Sequence, residues 1–288
     1  MTALVMLNGV IETPERALVS VFDRGFLYGD SVFEVLRTYG GRPCALGRHM
    51  ARLERSAARV FIPLPIPGAE LAAEIRSAVE AANNAESYVR VMLTRGVGQT
   101  IGLDPALARA PTRVVMVTEL HAPPPEVYEQ GVSVISYRTQ RVADATEAAG
   151  AKIGNYLTAV LATREARAAG AHEALVLDAQ GQVVEGSTSN VFALRGRELV
   201  TPPESAGILL GITRGFVLEA ARDLGLAVAE RTLSVEELLG SDEVFISSSI
   251  RELVPVVKVD GTTVASGSPG PLTLKLLRGF REKIIHSM

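Results

Sequence analysis

Apolar positions along this chain recur in two rhythms, and the exchange between them predicts most of its elements. Residues 3–8 and 10–13 read as two short strands joined by the turn at Asn8 and Gly9, and residues 31–39 as a longer strand ended by Gly40 and Gly41. In GRHMARLERSAARV the rhythm changes: Met50, Leu53, Ala57 and Val60 fall at helical spacing, and a second helix is expected over about residues 70–83. Residues 88–94 and 113–118 read as further strands of the same small sheet. HAPPPEVYEQ, with its three consecutive prolines, is excluded from the interior of either element and marks a boundary. Beyond it come a strand at 132–137, a helix at 155–169, a hairpin around DAQGQ, a strand at 190–194, a helix at 213–224, strands at 243–248 and 254–259, and a last helix over about 271–285. The expectation is an α/β protein with a small N-terminal α/β domain (1–119), an interdomain loop (120–130) and a larger C-terminal domain (131–288).

Composition narrows the class. With 288 residues, 47% of them hydrophobic, the chain can bury one large core or two medium ones. Its 29 basic and 32 acidic side chains are scattered, giving a net charge of −3 and no basic field for nucleic acid. No uncharged apolar run approaches the ~18 residues of a membrane span, and the N-terminus meets Glu12 before any signal-like stretch develops. Cys44 is the single cysteine, so no internal disulfide can form and a reducing, cytoplasmic compartment is expected. The four histidines are far apart and suggest no metal site.

Lys152, in ADATEAAGAKIGNYLTAVLA, is placed at a loop-to-helix junction, ahead of an acid-bearing hairpin and a later glycine turn. A lysine that forms an imine with an aldehyde must be held on an ordered element and can then shuttle a proton; a solvated lysine near a helix start is the plainer alternative, in a place electrostatically poor for a cation. Glu185 follows the strand QVV and precedes GSTSN. A carboxylate there could keep a pyridine nitrogen protonated, or simply cap a turn, and GSTSN is itself composed of ordinary turn formers. Gly211, Ile212 and Thr213 stand just before a periodic helix, whose exposed amides together with the Thr213 hydroxyl can hold a phosphate. Arg52, on the HMARL helix, could grip phosphate bidentately or lie solvated.

DRGFLYGDSVFEVLRTYGG with HMARL, AKIGNYL, EALVLDAQGQVVEGSTSNVF, LLGITR, DEVFISSS and ELVPVVKVDG together resemble, in order and over nearly the whole chain, the fold-type IV family of pyridoxal phosphate enzymes. That family contains branched-chain and D-amino acid aminotransferases, R-selective amine transaminases and aminodeoxychorismate lyase. The resemblance implies a two-domain α/β fold with the cofactor in the cleft between domains, and a homodimer whose partner chain helps close each site. It implies pyridoxal 5′-phosphate bound covalently to Lys152, with pyridoxamine 5′-phosphate as the intermediate. Glu185 resembles the pyridinium partner, Arg52 a phosphate ligand, Ile212 and Thr213 the phosphate-binding helix start, and Leu209 the apolar support behind the ring. The resemblance also implies Ser189, Asn190, Ser248 and Ser249 on the cofactor side and Phe33, Tyr88, Arg90, Tyr156 and Ile250 toward substrate.

Within the family the subgroup signals are mixed. KIGNY has the shorter lysine-to-asparagine spacing shared by D-amino acid aminotransferases and the lyase, while YVR in SYVRVML resembles the pair that branched-chain enzymes use near the substrate carboxylate. The arginine and histidine trap of the D-amino acid enzymes is absent from VGQTIGLD, where Gln99 and Thr100 stand instead. Arg37 shares a strand face with Phe33 and Val35 and could line the pocket or form a structural ion pair. Arg251 occupies a position that is usually small, and could receive a substrate carboxylate or fill the pocket mouth. The expected reaction is amino transfer between a branched-chain or apolar L-amino acid, or a D-amino acid, and a 2-oxo acid such as 2-oxoglutarate or pyruvate. Aminodeoxychorismate lyase and R-selective amine transaminase are the alternatives.

Overall fold

The computed structural model describes residues 3–108, 110–139, 148 and 150–286, so most of the run from Ala143 to Ala149 before Lys152 lies outside the described residues. Its contacts divide the chain into two compact units, Met1–His121 with Ala151–Asn155, and Ala122–Gly150 with Tyr156–His286.

The first unit is built from β1 (Leu4–Leu7), β2 (Val10–Glu12), α1 (Arg24–Tyr28), β3 (Ser31–Tyr39), β4 (Arg42–Pro43), α2 (Leu46–Arg59), α3 (Gly68–Ala82), β5 (Ser87–Thr94) and β6 (Thr112–Glu119). The strands form one antiparallel sheet in the order β2-β1-β6-β5-β3-β4. Val32, Leu36, Val89, Val91, Leu93, Val115 and Val117 project from one face into a core completed by Leu53 and Ala57 of α2 and Leu71 and Ile75 of α3. Two-residue alternation then puts Phe33, Arg37, Tyr88, Arg90 and Met92 on the opposite face, where the β3/β5 register sets Phe33 across from Met92 and Arg37 across from Tyr88.

The second unit holds α4 (Pro125–Gln130), β7 (Val132–Arg138), α5 (Leu157–Ala168), β8 (Glu173–Leu177), β9 (Gln182–Gly186), β10 (Asn190–Arg195), β11 (Glu198–Thr201), α6 (Ile212–Asp223), β12 (Ala227–Glu230), β13 (Leu233–Ser234), α7 (Val235–Leu239), β14 (Glu243–Ser248), β15 (Glu252–Val259), β16 (Thr262–Thr263) and α8 (Pro271–His286). Its sheet runs β12-β11-β10-β14-β15-β7-β8-β9-β13, with β16 beside β15. Parallel pairs (β11/β12, β15/β7, β7/β8) are mixed with antiparallel ones. One core gathers Val134, Leu175, Val191, Val244, Ile246 and Val254. Phe192 and Phe245 stack at 4.7 Å across β10 and β14.

Two local expectations change. HAPPPEVYEQ is not irregular throughout: Pro125–Gln130 is helical, with Pro125 in the first turn, where its missing N–H has no intrahelical acceptor to lose. Lys152 does not sit at a helix start, because α5 begins only at Leu157. Instead Ala151–Asn155 returns to the first unit, bridging Val32 through Ile153. The short elements α1, β4, β11, β12, β13, α7 and β16 are too brief for periodicity to reveal. No described helix is long and apolar enough to cross a membrane.

Candidate active site

In the first unit Lys152 is fixed by its backbone. Its N–H donates to Ser56 Oγ at 3.1 Å and its carbonyl accepts from the Phe33 N–H at 3.0 Å, while the Gly154 N–H donates to the Ser31 carbonyl at 2.8 Å. A Cβ on Gly154 would collide with Ser31 Oγ, so glycine is what allows this approach. The Lys152 ammonium nitrogen lies 4.5 Å from the centre of the Phe33 ring, and the Arg90 guanidinium carbon lies 4.0 Å from the same ring. Arg37 stacks instead on Tyr39 at 4.3 Å.

Below this face, α2 turns His49, Arg52 and Ser56 inward on one stripe. Arg52 Nε and Nη2 each donate to the Glu34 carboxylate at 2.7 Å, and His49 Nδ1 stands 2.7 Å from Glu34 Oε2. All three groups are buried. Burial works to raise the Glu34 pKa, but the hydrogen bonds and charges of Arg52 and then His49 outweigh it and hold the carboxyl at about 2. His49 is pushed down, first by burial and then by the charges of Arg52 and Lys152, against the opposing pull of Glu34.

In the second unit the Glu185 carboxylate, on β9, accepts the Leu209 N–H at 3.0 Å, and Asn190 Nδ2 donates to the Leu209 carbonyl at 2.8 Å. Gly211 caps α6, with Ile212 and the buried Thr213 in its first turn; a Cβ on Gly211 would strike Asn190 Oδ1. Ser189 Oγ and Ser247 Oγ are buried with no hydrogen-bond partner among the described residues. Ser248, Ser249 and Ile250 are half-buried at the end of β14 and in the turn after it. Arg251 does not project openly from that turn: its Nη1 donates to the buried Glu173 carboxylate at 2.7 Å and its Nη2 to Thr188 Oγ1 at 2.8 Å. Tyr156, half-buried, occupies the N-cap position of α5.

The sequence pattern described as amino-transferase class IV matches residues 31–259. The chain belongs to the class IV amino-transferases. It is 37% identical over 278 residues to a Methanocaldococcus jannaschii protein provisionally named a branched-chain-amino-acid aminotransferase, covering 96% of this chain and 95% of the relative. It is 33% identical over 286 residues to the D-alanine aminotransferase of Bacillus licheniformis, covering 98% and 97%. The crystal structure of the Escherichia coli branched-chain amino acid aminotransferase superposes with a TM-score of 0.92 at 32% identity, over 98% of this chain and 94% of that one. Class IV amino-transferases use pyridoxal phosphate, and this chain is a transaminase acting between amino acids and 2-oxo acids.

The residues present fit that cofactor. It requires an amine, an acid and an anion cradle, and the described residues include Lys152, Glu185 and the amide-bearing start of α6. The partnerless buried hydroxyl of Ser189 is a polar atom that a bound group could satisfy. Glu34, His49, Ser56, Glu173 and Thr188, which hold the candidate groups in place, are not among the sequence-predicted site residues. For three of them a signal existed: His49 and Ser56 are polar residues beside the apolar stripe of α2, and Glu34 alternates onto the core face of β3. Glu173 and Thr188 had none, since their meeting depends on sheet pairing.

Proposed function

We propose that this class IV amino-transferase takes the amino group from a branched-chain or similar apolar L-amino acid and passes it to a 2-oxo acid such as 2-oxoglutarate. The supporting observation is the Phe33 ring flanked by the Lys152 ammonium at 4.5 Å and the Arg90 guanidinium at 4.0 Å. An amino acid carries an amine and a carboxylate on one carbon, so an amine-exchanging group and a carboxylate receptor around one apolar plate match it. YVR favours a branched-chain donor, and VGQTIGLD lacks the arginine and histidine that would favour a D-amino acid.

Bound pyridoxal phosphate supplies an electron sink for the bond broken at the donor's α-carbon. Lys152 would hold it covalently, and Lys152 Nζ would take the donor's α-proton and return it during transfer. Glu185, oriented by the Leu209 N–H, holds the proton of the ring nitrogen, while Leu209 supports the ring. Ile212 and Thr213 receive the phosphate at the helix start, Arg52 adds positive charge, and Ser189, Asn190, Ser248 and Ser249 complete the polar lining. Tyr88, Arg90, Tyr156, Phe33 and Ile250 contact substrate. The enzyme works as a homodimer in the cytoplasm, a compartment that suits its single buried thiol.

The test is to mix the yellow holoenzyme separately with L-leucine, L-glutamate, D-alanine and R-phenylethylamine and follow bleaching of the bound cofactor. Rapid bleaching by L-leucine and L-glutamate is expected. Bleaching by D-alanine alone would reverse the donor hand, and pyruvate release from aminodeoxychorismate without an oxo acid would replace transfer with elimination. Lys152→Ala should fold yet lose the covalent cofactor absorbance and turnover together.

A further inference from the structure

Glu173 and Arg251 lie 78 residues apart in sequence and meet at 2.7 Å inside the second unit. Glu173 is 2% exposed, and each of its carboxylate oxygens has a separate task. Oε1 accepts the Thr188 N–H at 2.6 Å, the Thr188 hydroxyl at 3.1 Å and the Ser187 hydroxyl at 3.2 Å; Oε2 takes Arg251 Nη1. Arg251 reaches in two directions from its turn. Its Nη2 donates to Thr188 Oγ1 at 2.8 Å, and its Nε donates to Ser248 Oγ at 3.2 Å. Through the Ser187 and Thr188 hydrogen bonds, the ion pair between Glu173 at the start of β8 and Arg251 therefore ties the turn between β9 and β10 to the turn after β14.

What these turns carry gives the pair a task. Next to Thr188 is Ser189, whose buried hydroxyl has no partner among the described residues. Next again is Asn190, whose Nδ2 holds the Leu209 carbonyl, and the Leu209 N–H is the donor to Glu185. Ser247, before the second turn, also has a buried hydroxyl with no hydrogen-bond partner among the described residues. We propose that the Glu173–Arg251 pair is a positioning clasp that fixes the Ser187–Asn190 and Ser248–Arg251 turns for non-covalent retention of the cofactor. Arg251 then serves the cofactor indirectly, and its charge is directed to Glu173 rather than to a substrate carboxylate. This rests on the pyridoxal phosphate reading of the site.

The pyridoxamine phosphate form of the holoenzyme is the probe, because that form has no covalent bond to the lysine and is retained by contacts alone. Its release is followed by the fluorescence of free cofactor in the wild type, Arg251→Ala, Arg251→Lys, Glu173→Gln and the Arg251→Ala/Glu173→Gln pair. Arg251→Ala should speed release about tenfold, the scale of one lost charge-assisted hydrogen bond. The double variant should release no faster than the worse single one, since one interaction is lost in all of them. Arg251→Lys, which keeps the charge without the fork, should recover part of the retention. Equal release from Arg251→Ala and wild type would overturn the clasp, and so would independent, multiplying effects of the two substitutions. Arg251 is partly exposed, so its variants remain informative if Glu173→Gln fails to fold. A purely structural pair would lower the melting temperatures of loaded and cofactor-free enzyme equally while leaving release unchanged, and that result also overturns the proposal. If the wild type takes up no cofactor, the pyridoxal phosphate reading itself fails.

Discussion

Glu34 shows how much of a site can depend on a side chain that touches no reactant. Its carboxylate is fully buried and receives two parallel N–H bonds from Arg52 with His49 against the same oxygen. Removing one member of such a pair leaves the other as an uncompensated buried charge, which costs about 3–5 kcal/mol. Arg52→Ala should therefore destabilise the protein by that amount in urea unfolding, and Arg52→Lys should recover only part because an ammonium cannot reproduce the fork. A loss below about 1 kcal/mol, the scale of an exposed pair, would show that water reaches Glu34 when Arg52 is gone. The double role of Arg52 was only half legible in the sequence. Its helix and inward stripe follow from the spacing of Met50, Leu53 and Ala57, but the bond to Glu34 joins a strand to a helix and has no local signature. Lys152 and Arg251 differ in the same way. Lys152 could be singled out from the motif around it, whereas the Glu173 partner of Arg251 is brought to it by the β7/β8 and β15/β7 pairings.

At the scale of elements, the long periodic segments were readable and the short or returning ones were not. The nine residues of β3 follow from a run rich in β-branched and aromatic residues ended by Gly40 and Gly41, and the fourteen of α2 from its apolar stripe. The return of Ala151–Asn155 to the edge of β3 is different, because a single bridge at Ile153 leaves no periodic trace. Yet this short contact determines where the Lys152 amine lies. Gly154→Ala places a methyl against Ser31 Oγ and should push the segment off the strand. The expected outcome is turnover lowered about ten- to a hundredfold, the usual cost of misplacing a reactive group by an ångström, with slower recovery of the yellow absorbance on reconstitution. Adding Ser31→Ala removes the colliding atom and should restore much of both. Failure of that rescue would mean that glycine is required for some reason other than this approach.

For the whole molecule, four ionisable groups, Glu34 and His49 in the first unit and Glu173 and His172 in the second, lean the same way with pH. Glu34 in the first unit is held at about 2 against its usual 4.5. Glu173 in the second is also lowered: burial opposes its ionisation, and the charge and hydrogen bond of Arg251, with Thr188, overcome it. Both carboxylates bind fewer protons folded than unfolded, so the stability they contribute is complete above their unfolded pKa values and is lost as pH falls below about 4.5, for Glu34 down to about 2. The shift of Glu34 alone corresponds to roughly 3 kcal/mol. His49 and His172 act in a higher window with the same sign. Burial, aided by Arg52 and Lys152 charge for His49 and by Arg251 charge for His172, lowers both below the usual 6.5. The unfolded chain then takes up protons that the folded one refuses, and stability begins to fall as pH drops below about 6.5. Urea unfolding between pH 8 and pH 3 should thus show a plateau at the alkaline end, a shallow decline beginning near the histidine range and a steeper one in the carboxylate range. His49→Gln should make the first decline shallower, leaving the share of His172, and should keep a second decline that Arg52 still sustains at Glu34; a first decline of unchanged slope would remove His49 as one of its sources. Stability that rises on acidification would contradict every one of these shifts at once, because none of the four groups binds protons more tightly in the folded chain.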